Sequence, residues 1–199
     1  MAFWSDTSIG VPEPKRNYRW LAYLGNIAEP WIAKTATKPG FTISEAEHSY
    51  INHKFYYPGR IEWNTVDITI VDPGSPDVAQ SVWNALKASG YFPPESAADT
   101  STISKHFSAA ALGQVKIQHI GDGIPGTSDA VSVAGVSDMA TEVLEEWILY
   151  NAWIKEAKFG DLDYTNDDLT EITLTLRYDY AKLNGDNFGG VVTDRMTTT

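Results

Sequence analysis

The stretch KFGDLDYTNDDLTEITLTLRYDYA, residues 158–181, decides the fold. From Ile172 to Tyr180 apolar and polar side chains alternate strictly, which is the two-residue period of a strand with one buried face. A strand-like run ends at Phe159 and Gly160, and the Asp and Asn residues between 161 and 168 supply turn chemistry. The stretch therefore predicts a β-hairpin.

Strand patterns continue toward the N-terminus. Three further segments are predicted strands: residues 15–25, 31–36 and 114–120. Residues 41–57 have high β propensity but no clean apolar face, so we expect the middle of this segment to be solvated or pressed against another subunit. Pro58 and Gly59 are expected to form a turn, and a β-bulge near Asn64 and Thr65 accounts for a change of apolar parity there.

Helical patterns are fewer. Ser75 as N-cap, Pro76 at the first helical position and an apolar stripe predict one helix that ends before Gly90. Residues 139–146 fit a helix, but they also fit a strand that is apolar on both faces.

Composition limits the function classes. The chain has 199 residues and no cysteine, so disulfides and thiolate metal sites are excluded. We expect one domain, residues 1–199, with an N-terminal arm at 1–14 and a loop-rich insertion at 90–137. A formal charge of −11 argues against sequence-independent binding to nucleic acid phosphates. Aromatic residues make up 12% of the chain, which favours oligomerisation, with a large single core as the alternative.

Catalytic and metal-binding motifs fail on their context. GDGIPG (121–126) has the spacing of a dinucleotide-binding loop, but turn and β-like sequence follows where that loop needs a helix. The loop that opens at Asp161 lacks the glycine and the bidentate glutamate of an EF-hand. His48 and His53 are five positions apart and are expected on opposite faces of an extended segment, without metal-ligand spacing. We therefore expect no enzyme activity, no cofactor and no metal.

Three segments resemble the tail tube proteins of contractile-tailed (T4-like) bacteriophages. FGDLDYTNDDLTEITLTLRYDYA (159–181) resembles their C-terminal hairpin, PKRNYRWLAYLG (14–25) resembles their first strand, and KPGFTISEAEHSYINHKFYYPGRIEWNTVDITIVDP (38–73) also fits. Residues 90–137 take no part. The resemblance implies a mainly β fold, a β-sandwich or partial barrel that contributes to an oligomeric β-barrel, with one flanking α-helix. It also implies a strand from Glu146 into the last hairpin.

The resemblance implies a structural function. In that family hexameric rings stack into a tube inside a contractile sheath, and DNA passes through the lumen without specific binding. The implied partners are copies of the chain and the sheath, baseplate and tail terminator proteins, with no membrane. The implied location is the phage tail, after synthesis in the host cytoplasm. A baseplate tube or tube-initiator protein, and an inner-tube protein of a bacterial contractile injection or secretion system, are the alternatives.

The charged clusters and the N-terminal arm suggest which residues contact neighbouring subunits. Trp4 on the arm is expected to dock on an adjacent subunit. A basic cluster could pair with an acidic loop of a neighbour, or could simply be a solvated strand edge. The intersubunit candidates are Trp4, Lys15, Arg16, Arg19, Asp161, Asp163 and Asp167.

A lumen that passes DNA is expected to be acidic or neutral, because a basic wall would hold the phosphates. Solubility alone is the other explanation of the negative charge. The lumen candidates are Glu45, Glu47, Glu171 and Asp179.

Overall fold

The computed structural model of the protein describes residues 15–95, 101–121, 143–165 and 167–184. Within these ranges the chain is mostly strand, with two α-helices, so the predicted mainly β class is confirmed. The strands are β1 Trp20–Leu24, β2 Ala33–Ala36, β3 Phe41–Tyr50, β4 His53–Trp63, β5 Val66–Val71, β6 Val115–Ile120, β7 Val143–Tyr150, β8 Trp153–Lys158, β9 Glu171–Arg177 and β10 Tyr180–Asn184. The helices are α1 Val78–Ala88 and α2 Lys105–Leu112.

The strands form three sheets. One four-stranded sheet has the order β1-β6-β7-β10, a second has the order β2-β5-β9-β8, and β3 and β4 make a separate two-stranded sheet. The chain divides into two compact units, of which the larger comprises Leu21–Ile117 and Glu146–Asn184. Its core takes side chains from both four-stranded sheets and from both helices, as in a β-sandwich.

The pairing of β5 with β9 forms the centre of that core. Ile68 lies opposite Leu174 and Ile70 lies opposite Ile172, and all four side chains are fully buried. Burial of each such side chain contributes about 1.5–3 kcal/mol. The alternation around Leu174 is the pattern that predicted a strand with one buried face, and the predicted hairpin is present because β8 pairs with β9.

Both helices differ from the sequence prediction. Helix α1 begins two residues later than predicted, because the Asp77 side chain, not Ser75, caps it by accepting a hydrogen bond from the Gln80 amide at 2.8 Å. Helix α2 lies in the segment predicted to be loop-rich, and Ser104 caps it by accepting from the Phe107 amide at 3.2 Å. The structure therefore has a second helix in addition to the predicted one.

Several strand boundaries also differ. Residues Pro30–Ile32 form a 3₁₀ turn, which shortens the predicted second strand to β2. The ambiguous segment is a strand from Val143 onward, while residues 139–142 lie outside the described ranges. The segment after Glu146 is two strands in different sheets, and the chain passes from β7 to β8 at Asn151, which has a positive φ of 53°. The last predicted strand ends at Arg177 instead of Tyr180.

Candidate assembly surface

The β3–β4 hairpin is the part of the described chain that lacks a core of its own. Every side chain of β3 is exposed, and so is every side chain of β4 except the half-buried Trp63. An isolated two-stranded hairpin is marginally stable in water. Exposed apolar side chains of this kind mark an interaction surface. They are Phe41, Ile43, Tyr50, Ile51, Phe55, Tyr56, Tyr57 and Ile61.

The base of the hairpin is fixed by contacts to the end of β9. The Trp63 ring lies 6.0 Å from the Tyr178 ring and 5.5 Å from the Phe41 ring. Beside it, Arg177 donates a hydrogen bond to Glu62 at 3.0 Å. Burial raises the pKa of the Tyr178 hydroxyl, which has no hydrogen-bond partner within the described residues. The hairpin is thus anchored at one end only.

A bulge near the middle of the hairpin moves the apolar side chains from one face to the other. The register passes from Ile43 opposite Ile61 to Glu45 opposite Pro58, so β4 carries one extra residue there. Ser44 accepts a hydrogen bond from the Arg60 amide at 2.9 Å, and a Cβ atom on Gly59 would lie 2.4 Å from the Ser44 hydroxyl oxygen. Pro58 and Gly59 therefore belong to the bulge, and the predicted turn at these residues was wrong.

Two surfaces result, because directly opposed residues of an antiparallel pair point to the same side. Near the base, Phe41, Ile43, Ile61 and Trp63 share one face. Beyond the bulge that face carries mainly polar side chains together with Tyr56, and the other apolar side chains lie on the reverse. We call this reverse surface the aromatic face; it comprises Ala46, His48, Tyr50, His53, Phe55 and Tyr57. The expectation that His48 and His53 lie on opposite faces was wrong, because the chain reverses between them.

The turn that reverses the chain is Ile51–Asn52, between the paired residues Tyr50 and His53. Ile51 has a φ of 53° and is 83% exposed. A β-branched residue at positive φ is a genuine outlier, and such strain clusters at functional positions. The hairpin tip therefore combines backbone strain with an exposed apolar side chain.

Two strands of the second sheet also have open edges. In the described chain β2 pairs with β5 alone and β8 pairs with β9 alone, so the outer backbone N–H and C=O groups of both strands are available for further pairing. The connection between β8 and β9 adds exposed apolar side chains at Leu162, Tyr164 and Leu169. Open edges and exposed apolar side chains thus occur on the same sheet.

The predicted intersubunit residues are only partly described. Trp4 lies outside the described residues. In the smaller unit, Lys15 forms an ion pair with Glu145 at 2.5 Å, and the Arg19 guanidinium lies 5.7 Å from the Tyr18 ring centre. The Arg19 carbonyl accepts a hydrogen bond from Ile120, and the Arg16 carbonyl accepts one from Arg19. Lys15 therefore already has an acidic partner in its own chain.

The acidic loop is exposed but locally ordered around Asp163. The Asp163 carboxylate accepts hydrogen bonds from the Thr165 amide and hydroxyl at 2.9 and 2.8 Å, which lower the pKa of Asp163. Asp161 and Asp167 are exposed as well. Within the described residues no group of three or more His, Asp or Glu side chains is placed to hold a metal ion.

The four lumen candidates differ in whether their carboxylates are already bonded within the chain. Glu45 and Glu47 lie on the hairpin face opposite the aromatic face, and Glu47 forms an ion pair with Lys54 at 2.9 Å. Glu171 forms an ion pair with Lys34, and this contact raises the pKa of Lys34. Asp179 accepts hydrogen bonds from the Lys105 ammonium at 2.5 Å and from the Asn151 side chain at 2.8 Å. Three of the four are therefore already bonded within the chain.

A groove of about 390 Å³ lies between the two helices and β8 in the larger unit. Its walls are mainly apolar and include Trp83, Leu86, Ile103 and Phe159. No catalytic constellation lines it. None of the described helices has the length and apolar character needed to cross a membrane.

Comparison with solved structures identifies the fold. No protein family matches the sequence, and no curated protein is detectably similar to it. The fold is nevertheless a known one. It is similar to a chain of the anti-feeding prophage baseplate, 6-fold symmetrised, with 15% identity, a TM-score of 0.57 and coverage of 87% of this chain and 97% of that chain.

Two further structures agree with this result. A chain of the sheath-tube complex of the PVC extracellular contractile injection system is 16% identical, with a TM-score of 0.56 and coverage of 91% and 98% of the two chains. A chain of the anti-feeding prophage tube-terminating cap is 18% identical, with a TM-score of 0.53 and coverage of 93% and 99%. The shared fold spans nearly the whole of each chain.

Sequence reasoning missed the aromatic face. Its side chains occupy both even and odd positions within residues 41–57. They can be assigned to one face only once the turn at Ile51 and the bulge at Gly59 are known. Asn52, a residue common in turns, was the available signal for the true reversal point.

Proposed function

We propose that this protein is a structural subunit of the tube of a contractile tail or contractile injection particle, and that it assembles with copies of itself. The observation that carries the proposal is the hairpin, whose exposed apolar side chains and two open edges suit a strand pair that is completed by a neighbour. The fold supports it, because the similar chains belong to the baseplate, the sheath-tube complex and the tube cap of such particles.

The finer proposal is a hexameric ring that stacks into a tube. A head-to-tail contact that closes by rotation makes a ring, and closure would cover the open edges of β2 and β8. Contacts of the acidic loop with Lys15, Arg16 or Arg19 of a neighbour, and docking of the arm with Trp4, remain predictions within this proposal.

The proposal also includes passage of DNA through the ring. A formal charge of −11 fits a lumen that does not hold phosphates. Glu45 is the stronger lumen candidate, because Glu47, Glu171 and Asp179 each form an ion pair with a lysine among the described residues. An injection particle that carries no DNA would have the same tube.

The test is size-exclusion chromatography with light scattering at rising protein concentration, followed by negative-stain microscopy. We expect rings or tubes. A monodisperse monomer at every salt and protein concentration would contradict the proposal. Rings that never stack would favour an end-capping role, which the likeness to a tube cap and a baseplate chain also supports.

A further inference from the structure

The two open edges of the second sheet run in opposite directions. Its order is β2-β5-β9-β8 and each of its three pairs is antiparallel, so β2 and β8 are antiparallel to each other. Rotation about an axis close to the strand direction preserves the direction of each strand. The β2 edge of one copy can therefore meet the β8 edge of the next as one more antiparallel pair, and the same contact can repeat around a ring.

The two faces of this sheet differ in character. One face is apolar and packs into the core with the other four-stranded sheet and the helices, through side chains such as Ile68 and Leu174. We call the reverse surface the polar face, and directly opposed residues form two rows across it. The rows are Thr35, Thr69, Thr173 and Lys158, and Asp67, Thr175 and Glu156. These side chains are exposed or half-buried.

The uncharged groups of the polar face bond within the face. The Thr175 hydroxyl donates a hydrogen bond to the Asp67 carboxylate at 2.6 Å. The hydroxyl oxygens of Thr69 and Thr173 lie 3.4 Å apart and share a hydrogen bond. The threonine side chains in the middle of the sheet therefore already have partners in their own subunit.

The charges of the polar face are balanced and largely paired. The ion pairs are Lys34 with Glu171, Lys158 with Glu156, and Arg177 with Glu62 of β4. On the sheet itself, the basic side chains Lys34, Lys158 and Arg177 match the acidic side chains Asp67, Glu156 and Glu171 in number, so the formal charge of the face is zero. The whole chain, in contrast, has a formal charge of −11. The excess negative charge therefore lies elsewhere on the molecule.

We infer that the polar face lines the lumen of the ring, as a neutral wall whose polar groups are already bonded within each subunit. The inference rests on the proposed function, because it requires the β2 and β8 edges of neighbouring copies to join. The apolar face is covered by a second sheet and by helices. These layers fit on the outside of a ring, where the circumference is larger, and the polar face is then turned inward.

A neutral wall determines how the lumen treats a passing polymer. A basic wall would retain a polyanion by releasing its counterions, and an acidic wall would repel it. Short-range pairs of opposite charge largely cancel at a distance, and what remains is screened over a Debye length of about 8 Å. The lumen should therefore neither hold nor exclude cargo because of its charge, whether the cargo is a nucleic acid or a protein of either sign.

The first experiment locates the polar face in the assembly by single cysteine variants, since the chain has no cysteine of its own. Thr173→Cys places a thiol on the polar face, and the control Asn84→Cys places one on the exposed side of α1. Assemblies are labelled with biotin maleimide, which is small enough to enter a lumen, and are then incubated with streptavidin. Negative-stain microscopy should show streptavidin on the outer surface for Asn84→Cys alone, although free subunits of both variants bind it.

The second experiment tests the neutrality of the wall. Thr173→Lys adds one unpaired cation per subunit to the polar face, and Asn84→Lys adds the same charge to α1. Each protein is assembled with a fluorescent single-stranded oligonucleotide and then treated with nuclease. We expect the oligonucleotide to be protected in Thr173→Lys assemblies, and this protection to be lost as salt is raised. The unmodified protein and Asn84→Lys should give no protection.

Thermal unfolding of the free subunits checks that each variant keeps the fold. If Thr173→Lys does not fold, Asp67→Asn replaces it, because this variant moves the charge of the polar face in the same direction with little change of shape.

The outcomes separate the two proposals. If rings or tubes form but streptavidin binds the outside of Thr173→Cys assemblies, the inference is wrong and the proposed function stands. The same holds if unmodified assemblies protect the oligonucleotide as well as the cationic variant does. If no assembly forms at any protein or salt concentration, the proposed function and the inference are both overturned.

Discussion

The β5–β9 pair and the β3–β4 hairpin are both antiparallel and contain several residues of high β propensity, yet they have opposite environments. In β5–β9 the apolar side chains other than the terminal Val71 occupy one face and are fully buried. In β3–β4 the apolar side chains change face at the bulge and remain exposed. Strand formation and core formation are therefore separate properties, and a strand pair without a core can serve as a surface for another molecule.

The largest expected effect compares the same substitution in the two regions. Ile68→Ala should reduce the free energy of unfolding by about 2–5 kcal/mol, because Ile68 is fully buried. Ile43→Ala should cost about 1 kcal/mol or less, because half of that side chain is already exposed. Urea denaturation of the isolated subunit measures both. Equal losses would show that the hairpin has a core in the free subunit.

A smaller effect is expected at the hairpin tip. Ile51→Asn replaces a β-branched residue at a φ of 53° with one that tolerates positive φ, so the hairpin should gain about 1 kcal/mol of local stability. Hydrogen exchange should slow for the amides of β3 and β4. The amides of β5 and β9 serve as the internal control and should be unchanged; slowing in both regions would contradict the independence of the hairpin.

The smallest effect compares two carboxylates. The hydrogen bond from Lys105, then that from Asn151, lowers the pKa of Asp179. Glu47 instead accepts hydrogen bonds from the exposed Lys54 and Ser49 near the turn. Asp179→Asn should cost about 0.5–1 kcal/mol at pH 6, a modest figure because solvent screens this partly exposed pair. Glu47→Gln should change the free energy of unfolding by less than about 0.5 kcal/mol.

The sign of the pH dependence follows from the lowered pKa of Asp179. A carboxyl group whose pKa is lower in the folded state stabilises the fold above its ordinary value of 3.8. That stabilisation is lost as the pH falls through the folded-state pKa. The difference between the unmodified protein and Asp179→Asn should therefore shrink below pH 3.8 in acid-unfolding curves. A difference that stays constant down to complete unfolding would exclude an ionic origin.

The sequence predicted the parts of the fold that depend on local periodicity. The strict alternation around Leu174 predicted the buried strand, and the turn residues after Gly160 predicted the hairpin of β8 with β9. Helix α2 was missed because its small residues around Ala110 lack an amphipathic stripe. Its place is set by Ser104 capping and by packing of Leu112 in the core.

The candidate site was harder to predict, because it depends on register. One extra residue at the bulge reverses which side chains share a face, and the parity of residues along a single strand contains no information about its partner. The choice of Pro58 and Gly59 as the turn followed the strongest local turn signal. The true turn contains Ile51, whose side chain disfavours positive φ, so tertiary context overrides local preference there.

The open edges of β2, β3, β4 and β8 have a consequence for the kinetics of the proposed assembly. Two free subunits that meet must order their edges and fix their register before much apolar surface is covered, so the first contact is unfavourable. A later subunit meets edges that are already held in place. Growth would then proceed by nucleation, with a lag that preformed rings abolish. Free subunits below the concentration at which new rings nucleate would remain a reserve for the extension of existing tubes.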